Sequence, residues 1–410
     1  MEYIKRSMED VFLRLNKEYS AILVTGPRQV GKTTMLQKLM AEENRDREYI
    51  SLDDFNHREL AKTDPAMFFQ LHQPPLFIDE VQYAPELLHY IKMQVDRDQR
   101  PGDFWLTASQ LFKLMDGVQE TLAGRVALLH LSPLSQQEIY PHYPPTVFSP
   151  DLAVLSAKQK MIPPVDSLEV YQRIFRGCMP ALISGRYSDQ SHYYSDYIST
   201  YLERDVKHVS GAIDSLRFIR FIRAAAARAG QIVNYMSIAD DCGIAQVTAK
   251  SWMEILEKLG IVFFLYPYSN NVLKRTIKTP KLFFYDTGLV CYLTRWSSPE
   301  TAMEGAMSGA LLENFAISEI LKSYQNMGKE PYLYYYRDKD MKEIDLLIEG
   351  DGKLWPMEIK KTATPDRKLT RVFQVIDKSP LQLGTGAVLC MTDQLSAFDQ
   401  NNLIIPVWLI

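Results

Sequence analysis

Two glycines, a lysine and two threonines follow an apolar run near the start of the chain. The run is Ala21–Thr25, and the residues after it are Gly26, Pro27, Arg28, Gln29, Val30, Gly31, Lys32, Thr33 and Thr34. Glycines let backbone N–H groups curl around an anion without Cβ clashes, and a helix that begins near Lys32 points its positive end at the same place. The spacing therefore predicts a phosphate-binding loop between a strand and a helix.

An acidic pair, Asp79 and Glu80, follows a second apolar run and would complete such a site. Lys32 is predicted to reach the β- and γ-phosphates, and Thr33 and Asp79 to hold Mg²⁺, the carboxylate acting through water. Glu80 would orient or deprotonate the attacking water, so the pair favours hydrolysis over binding alone. A glycine-rich turn that arose by chance is the alternative for the loop, and its strand–loop–helix context weighs against it.

Three polar residues are further candidates for reading the phosphates. Ser109 follows the apolar run Phe104–Thr107 and is predicted to sense the γ-phosphate, or else to cap the next helix. Arg125 precedes another apolar run and would contact phosphate in cis or across a subunit interface, with a plain surface arginine as the alternative. Arg204 is a weaker candidate, since an ion pair on a helix surface explains it as well.

These motifs resemble those of a prokaryotic family of AAA-type ATPases in which a C-terminal domain of uncharacterised function follows the ATPase domain. The matching segments are Thr25–Thr34, Phe77–Gln82, Leu106–Gln110, Leu122–Arg125, Thr200–Val206 and Lys278–Leu289. The resemblance implies ATP as ligand, bound by residues 26–34 with Asp79 and Glu80, and it implies no physiological role. Ala108 stands where members of the family often have glycine.

The elements that must position these residues alternate between strand-like and helical runs over residues 1–140. The strand-like runs are Ala21–Thr25, Tyr49–Leu52, Leu76–Ile78, Phe104–Thr107 and Val126–Leu131. They are apolar throughout, as in strands covered on both faces, so the sequence predicts a parallel sheet with crossover helices. The fold class predicted is α/β multidomain, beginning with an AAA-type P-loop NTPase core.

Two stretches of different character follow this core. Residues 141–167 are rich in proline and are predicted to be a linker or surface excursion. Residues 168–300 are predicted to form a helical and winged-helix domain, in which two helices meet at Gly243 and two strands follow.

The winged-helix prediction makes DNA a candidate partner. The second helix would present Gln246, Thr248 and Lys250 to a groove, and the wing would meet phosphates through Lys274, Arg275, Lys278 and Lys281. Asp286 and Glu257 would repel phosphate locally. A lid or a protein-docking module is therefore the alternative.

Residues 301–410 carry a second set of candidate catalytic residues on an αβββαβ pattern. Glu313 lies on the helix, Asp345 on one strand, and Glu358 and Lys360 on the next. Strand side chains alternate between faces, so Glu358 and Lys360 project together, and Asp345 can join Glu358 as a Mg²⁺ site if the strands pair. Lys360 would polarise the attacking water, and Glu313 would add a carboxylate.

This order of acids and lysine resembles the PD-(D/E)XK nuclease fold, so the C-terminal domain is expected to be restriction-endonuclease-like. The first proline of that signature is absent. The alternative is a nuclease-like fold whose acids are only surface charge, or a binding module.

The composition is that of a globular protein, with 46% hydrophobic residues, 23% charged residues and a net charge of −4. No apolar run is long enough to span a bilayer, and four cysteines without a CxxC pair favour a reducing, cytoplasmic location. We expect an ATP-hydrolysing protein that couples ATP state to a Mg²⁺-dependent nuclease-like module acting on DNA. The alternatives are a regulatory ATPase switch for a protein partner or DNA, and a DNA-binding ATPase that does not cleave. The sequence leaves self-association open.

Overall fold

The computed structural model describes residues 3–109, 124–202, 206, 214–269, 279–376 and 379–410. Arg204, Gln110, Lys274, Arg275 and Lys278 lie outside these ranges. We refer to residues 1–140, 168–300 and 301–410 as the N-terminal, middle and C-terminal units. Within the described ranges, no helix is both long and apolar enough to cross a membrane.

The N-terminal unit is built on a parallel five-stranded sheet of order β2-β3-β4-β1-β5. Its elements are α1 (Met8–Leu15), β1 (Ala21–Thr25), α2 (Lys32–Glu42), β2 (Glu48–Ser51), α3 (Phe55–Thr63), α4 (Pro65–Leu71), β3 (Leu76–Asp79), α5 (Leu87–Asp98), β4 (Phe104–Ala108) and β5 (Val126–His130). The central strands β1 and β4 are buried along their whole length. The predicted parallel sheet is thus confirmed, because strands covered on both faces need apolar side chains at every position.

The middle unit is mostly helical and contains two antiparallel strands near its end. The elements from the end of the first unit onward are α6 (Gln136–Ile139), α7 (Leu152–Met161), α8 (Ser167–Arg176), α9 (Pro180–Ile183), α10 (Gln190–Asp196), a π-helix (Tyr197–Leu202), α11 (Ser215–Ala226), α12 (Tyr235–Cys242), α13 (Gln246–Lys258), β6 (Val262–Pro267), β7 (Lys281–Phe284), α14 (Thr287–Leu293) and α15 (Pro299–Glu304). Gly243 ends α12 in the left-handed conformation, so the tight turn between α12 and α13 lies where the sequence predicts it.

The proline-rich segment 141–167 is more structured than its composition indicates. It contains α7, and its apolar side chains Leu155 and Ile162 are buried in the core shared with the later units. Tyr143 donates a hydrogen bond to the carbonyl oxygen of Trp408 over 2.9 Å. The segment therefore packs against the end of the chain, and its assignment as a linker or surface excursion stays a prediction.

The C-terminal unit follows the predicted order of a helix, three strands, a helical segment and further strands. Its elements are α16 (Ser308–Gln325), β8 (Leu333–Arg337), β9 (Glu343–Gly350), β10 (Lys353–Lys360), a 3-10 helix (Arg367–Ile376), β11 (Gln382–Leu383), β12 (Gly386–Cys390), β13 (Ser396–Asp399) and β14 (Asn402–Pro406). They form a mixed sheet of order β13-β14-β12-β10-β9-β8-β6-β7, with β11 beside β10. Since β6 pairs with β8 through Tyr266 and Tyr334, the sheet continues into the middle unit.

The segment from Lys281 to Leu289 is bonded to earlier residues of the middle unit. Asp286 is buried and accepts hydrogen bonds from the Tyr194 hydroxyl over 2.6 Å and the backbone N–H groups of Cys178 and Gly288. A Cβ at Gly288 would lie 2.4 Å from the Tyr194 oxygen, so only glycine fits. Asp286 therefore does not face a phosphate backbone, and the repulsion expected from the sequence is corrected.

Helix α16 connects the C-terminal unit to the N-terminal one through a buried ion pair. The Lys322 ammonium lies 2.7 Å from Glu319 Oε1 and donates to the carbonyl oxygen of Leu134 over 3.2 Å. Glu319 Oε2 accepts from the backbone N–H of Gln136 over 2.7 Å. Burial disfavours the ammonium charge, but Cys178 and Glu319 outweigh it and raise the pKa of Lys322. Lys322 therefore keeps its positive charge where α16 contacts the N-terminal unit.

We expect Lys322→Met to lower the free energy of unfolding by about 3–5 kcal/mol, because Glu319 would stay buried without its partner. Calorimetric unfolding of the full chain measures the effect. A double variant with Glu319→Gln removes the uncompensated charge but keeps an acceptor for Gln136, so it should recover part of the loss. If the single and double variants had the same free energy of unfolding as the wild type, the role given to this pair would be contradicted.

Candidate functional site

The predicted phosphate loop connects β1 to α2, at the carboxyl edge of the sheet. Gly26 has φ 140°, and a Cβ there would lie 2.1 Å from the carbonyl oxygen of Leu131, so the turn requires glycine. Gly31 precedes α2 in a left-handed conformation. The loop therefore presents its backbone to the N-terminus of α2, an arrangement suited to binding an anion.

Arg6 supports the loop from behind, a contact that sequence analysis did not find. It is buried, and its guanidinium donates to the carbonyl oxygens of Val30 and Ser132, each over 2.7 Å. Its Nε atom donates to Glu138 Oε1 over 3.0 Å. Nothing in the local sequence marks Arg6, since its partners lie far along the chain.

The predicted metal ligands meet beside the loop. Thr33 Oγ1 donates to Asp79 Oδ1 over 2.8 Å, Thr107 donates to the same oxygen, and the Tyr49 hydroxyl donates to Oδ2 over 3.2 Å. Burial raises the pKa of Asp79 in spite of these donors. A hydroxyl and a buried carboxylate are hard oxygen ligands that a cation would stabilise in ionised form, so these residues fit Mg²⁺.

Lys32 and Glu80 lie within the same small space. The Lys32 ammonium donates to the carbonyl oxygens of Gly26 and Pro27 over 2.9 and 2.8 Å. Glu80 accepts from the Ser109 hydroxyl over 2.6 Å and from the Gln82 amide. Burial alone would raise the pKa of Glu80, but Lys32, Gln82 and Ser109 outweigh it, and the pKa is lowered. Glu80 is thus an ionised carboxylate, and Ser109, predicted to sense phosphate, contacts it directly.

A cavity of about 530 Å³ opens in front of the loop. The N-terminal unit lines it with residues 28–34, Glu80 and the early segment around Tyr3. The middle unit lines it with Pro180, Ala181, Ser184, Arg186 and Tyr187. Arg186 is thus a cation at the cavity. It was not predicted from the sequence, because it lies in no recognisable motif.

The middle unit also contacts two loop residues directly. Tyr193 donates its hydroxyl to Gln29 Oε1 over 2.8 Å. A Cβ at Gly260 would come within 2.8 Å of the Pro27 ring. The loop is therefore packed between the two units.

The remaining phosphate-reading candidate lies elsewhere. Arg125 is paired with Asp96 on α5 at the surface, and it is not among the residues that line the cavity. A role in cis has no geometric support in this arrangement. A role across a subunit interface stays a prediction.

The second predicted site lies on β9 and β10, which pair antiparallel as the prediction requires. The Lys360 ammonium lies 2.7 Å from Asp345 Oδ2 and 2.7 Å from Glu358 Oε2. The backbone N–H of Ile359 also donates to Asp345 Oδ2 over 2.9 Å. Asp345, Glu358 and Lys360 therefore form one cluster, with the ammonium between the two acids.

Glu313 reaches the edge of this cluster from α16, held by a lysine that the sequence had assigned to a wing. Lys281 Nζ lies 3.0 Å from Glu313 Oε1 and 2.6 Å from Glu343 Oε1. Burial raises the pKa of Glu313 to about 7 in spite of Lys281. Burial and Asp345 raise the pKa of Glu358 to about 8. These acids share an environment in which added positive charge would be stabilising.

Metal binding at this second cluster stays a prediction. Across the residues that the structure describes, no group of three or more His, Cys, Asp or Glu side chains is arranged to hold a metal ion. Asp345 and Glu358 are a pair of oxygen ligands beside a lysine, with Glu313 set apart on its own lysine. The pair suits Mg²⁺ chemically, although it supplies few of the ion's ligands.

Residues 18–140 match a family model described as an AAA domain. The N-terminal unit is an AAA-type P-loop ATPase domain. Residues 167–300 and 308–410 match two further models, each described as a domain of unknown function. An uncharacterized protein of Mycobacterium tuberculosis and one of Mycobacterium bovis are each 28% identical to the chain over 369 residues, which are 90% of this chain and 76% of theirs.

Two solved structures resemble the chain at a distance. A Walker-type ATPase of Pyrococcus abyssi is 15% identical with a TM-score of 0.44, over 71% of this chain and 96% of that one. The RuvB Holliday junction branch migration motor of Thermotoga maritima is 17% identical with a TM-score of 0.31, over 63% of this chain and 89% of that one.

We expect His130 to make the stability of the protein fall in acid. His130 ends β5 beside the loop, its Nε2 atom is buried without a partner in the described structure, and burial and then Lys32 lower its pKa from 6.5 to about 4. The unfolded chain binds the proton first, so stability is present above pH 6.5 and is lost as pH falls toward 4, by up to about 1.4 kcal/mol per unit.

The variant His130→Phe isolates this contribution. Unfolding measured between pH 7.5 and 4.5 should show a shallower loss of stability for the variant than for the wild type. Parallel pH profiles for the two proteins would show that His130 is not the group responsible.

Proposed function

We propose that this protein binds and hydrolyses ATP and couples the nucleotide state to a C-terminal, Mg²⁺-dependent nuclease-like module that acts on DNA. The AAA-type ATPase domain is the part on which the proposal stands. The observation that carries it is that Lys32, Thr33 and Glu80 line one cavity, while Asp79 accepts a hydrogen bond from Thr33 beside it.

Each of these residues has a defined part in hydrolysis. Lys32 exchanges the carbonyl oxygens of Gly26 and Pro27 for phosphate oxygens, which its ammonium binds more strongly because they are charged. Thr33 and Asp79 would hold Mg²⁺, which would neutralise charge on the phosphates. Glu80 is ionised and accepts the proton of the attacking water, and Ser109 and Gln82 fix its direction.

The variants Lys32→Ala and Glu80→Gln should separate binding from turnover. We expect Lys32→Ala to lose nucleotide binding, and Glu80→Gln to bind ATP but to hydrolyse it at least about 100-fold more slowly, since the base is removed. Phosphate release and binding of a fluorescent ATP analogue measure the two steps. Glu86→Gln, at an exposed position six residues on, is the control. If Glu80→Gln hydrolysed ATP at the wild-type rate, Glu80 would not be the general base.

The nuclease-like part rests on the C-terminal cluster. We interpret the order of α16, β8, β9, β10, the 3-10 helix and β12 as the αβββαβ core of a PD-(D/E)XK fold. Asp345 and Glu358 would hold Mg²⁺, which polarises a scissile phosphate. Lys360, 2.7 Å from both acids, is placed to orient the attacking water.

The middle unit would bring DNA to this cluster. We interpret α11, α12 and α13 with β6 and β7 as a winged helix. Its recognition helix would be α13, which begins at Gln246. Lys250 on that helix would contact phosphate. However, Lys250 lies 3.9 Å from Glu254, so part of its charge is already balanced.

That acidic neighbourhood favours a second candidate, a regulatory ATPase that acts on a protein partner without cutting DNA. Glu254 and Glu257 line the same groove as Lys250, Lys258 and Arg337, so the described part of this face carries an excess of only one positive charge. Binding to phosphates favours a larger excess, whereas binding to a protein surface of mixed charge does not need one. In this candidate ATP would change the packing of the middle unit on the loop through Tyr193 and Gly260.

The variants Asp345→Asn and Glu358→Gln decide between the two candidates. If the cluster cleaves DNA, each variant should reduce Mg²⁺-dependent cleavage of plasmid, single-stranded and branched DNA by at least about 100-fold, while ATP hydrolysis continues. Asp351→Asn, exposed in the turn between β9 and β10, is the matched control. Equal cleavage by the wild type and both variants would show that the cluster is not the cleaving site. No cleavage by any of the three proteins would leave the regulatory candidate standing.

A further inference from the structure

Lys281 belongs to the middle unit by sequence, but its side chain lies among the acids of the C-terminal sheet. It is 3% exposed, and its ammonium bonds Glu313 on α16 and Glu343 on β9 at 3.0 and 2.6 Å. A lysine is rarely buried unless it is paired. Its position is therefore specified by these two acids.

The backbone around Lys281 is held on both sides. Lys281 forms an isolated antiparallel bridge with Ile232, and the backbone N–H of Val233 donates to the carbonyl oxygen of Pro280 over 2.9 Å. The hydroxyl of Tyr335 on β8 donates to the carbonyl oxygen of Thr279 over 2.7 Å. The backbone that carries this side chain is thus hydrogen-bonded to both units.

Glu313 depends on this lysine for its place in the cluster. It lies on α16 and is the acid of the predicted set that does not contact Lys360 within the described structure. Arg337, the other cation nearby, reaches Glu343 at 3.6 Å. Among the described residues, Lys281 is the cation bonded to the partly buried carboxylate of Glu313.

We propose that Lys281 is a positioning residue of the C-terminal acidic site, and that the middle unit contributes to this site by holding Glu313 at its edge. The inference rests on the proposed metal-dependent function of the cluster. It makes the site a product of two units, so a change in how β7 is seated changes the arrangement of the acids.

Mn²⁺ binding to the full chain without nucleotide tests this inference, with free Mn²⁺ measured by electron paramagnetic resonance. The binding that Asp345→Asn removes is assigned to the cluster. Lys281→Met should weaken that binding by about 10- to 100-fold, as loss of an outer-shell contact does. Lys281→Arg keeps the charge and should restore most of it. Arg337→Met, which removes a cation from Glu343 alone, is the matched control and should leave the affinity near that of the wild type.

The direction of the effect separates positioning from simple charge. If Lys281 only repelled a cation, Lys281→Met would bind Mn²⁺ more tightly, and tighter or unchanged binding overturns the inference. In a Glu313→Gln background, Lys281→Met should have no further effect, because the two residues act together. Lys281→Gln, which keeps a hydrogen-bond donor, gives the same comparison if the methionine variant does not fold. If the wild type itself shows no binding that depends on Asp345, the proposed function fails first.

Discussion

The turn that follows β5 has to satisfy buried backbone groups that no strand or helix satisfies for it, and much of the molecule is arranged around that need. Residues 131–138 are almost entirely buried. Arg6 bonds the carbonyl oxygen of Ser132, Lys322 that of Leu134, and Glu319 the N–H of Gln136. A buried polar group without a partner costs about 1–3 kcal/mol, so these contacts are strongly favoured together. One turn thereby fixes the N-terminal arm and α16 relative to the ATPase sheet.

The same turn determines the shape of the phosphate loop. The carbonyl oxygen of Leu131 lies where a side chain at residue 26 would be, and Arg6 bonds Val30 from behind. The middle unit closes the front through Tyr193 and Gly260. A loop held on these sides needs little reorganisation to bind phosphate. It also means that a ligand which moves the loop moves its neighbours, and α16 extends from those neighbours to Glu313.

The features that were predictable from sequence depend on local spacing. The loop, the acid pair at the end of β3 and the pairing of Asp345 with Glu358 each follow from the period of a strand or the geometry of a helix start. Arg6, Lys281 and Lys322 could not be predicted, because their partners lie on other elements far along the chain. Asp286 was misassigned for the same reason, since its burial depends on Tyr194 and Cys178. The family descriptions confirm an AAA domain and leave both following domains without a known role.

The pairing of β6 with β8 has a consequence for how the chain can be divided. The pairing of Tyr266 with Tyr334 joins β6 of the middle unit, together with β7, to one end of the sheet that the C-terminal unit builds. If the chain were cut between β7 and α16, each piece would carry a bare strand edge with unpaired N–H and C=O groups. Such edges associate with one another, so the separated pieces would tend to aggregate. The middle and C-terminal units are therefore expected to fold together and to occur together in one chain.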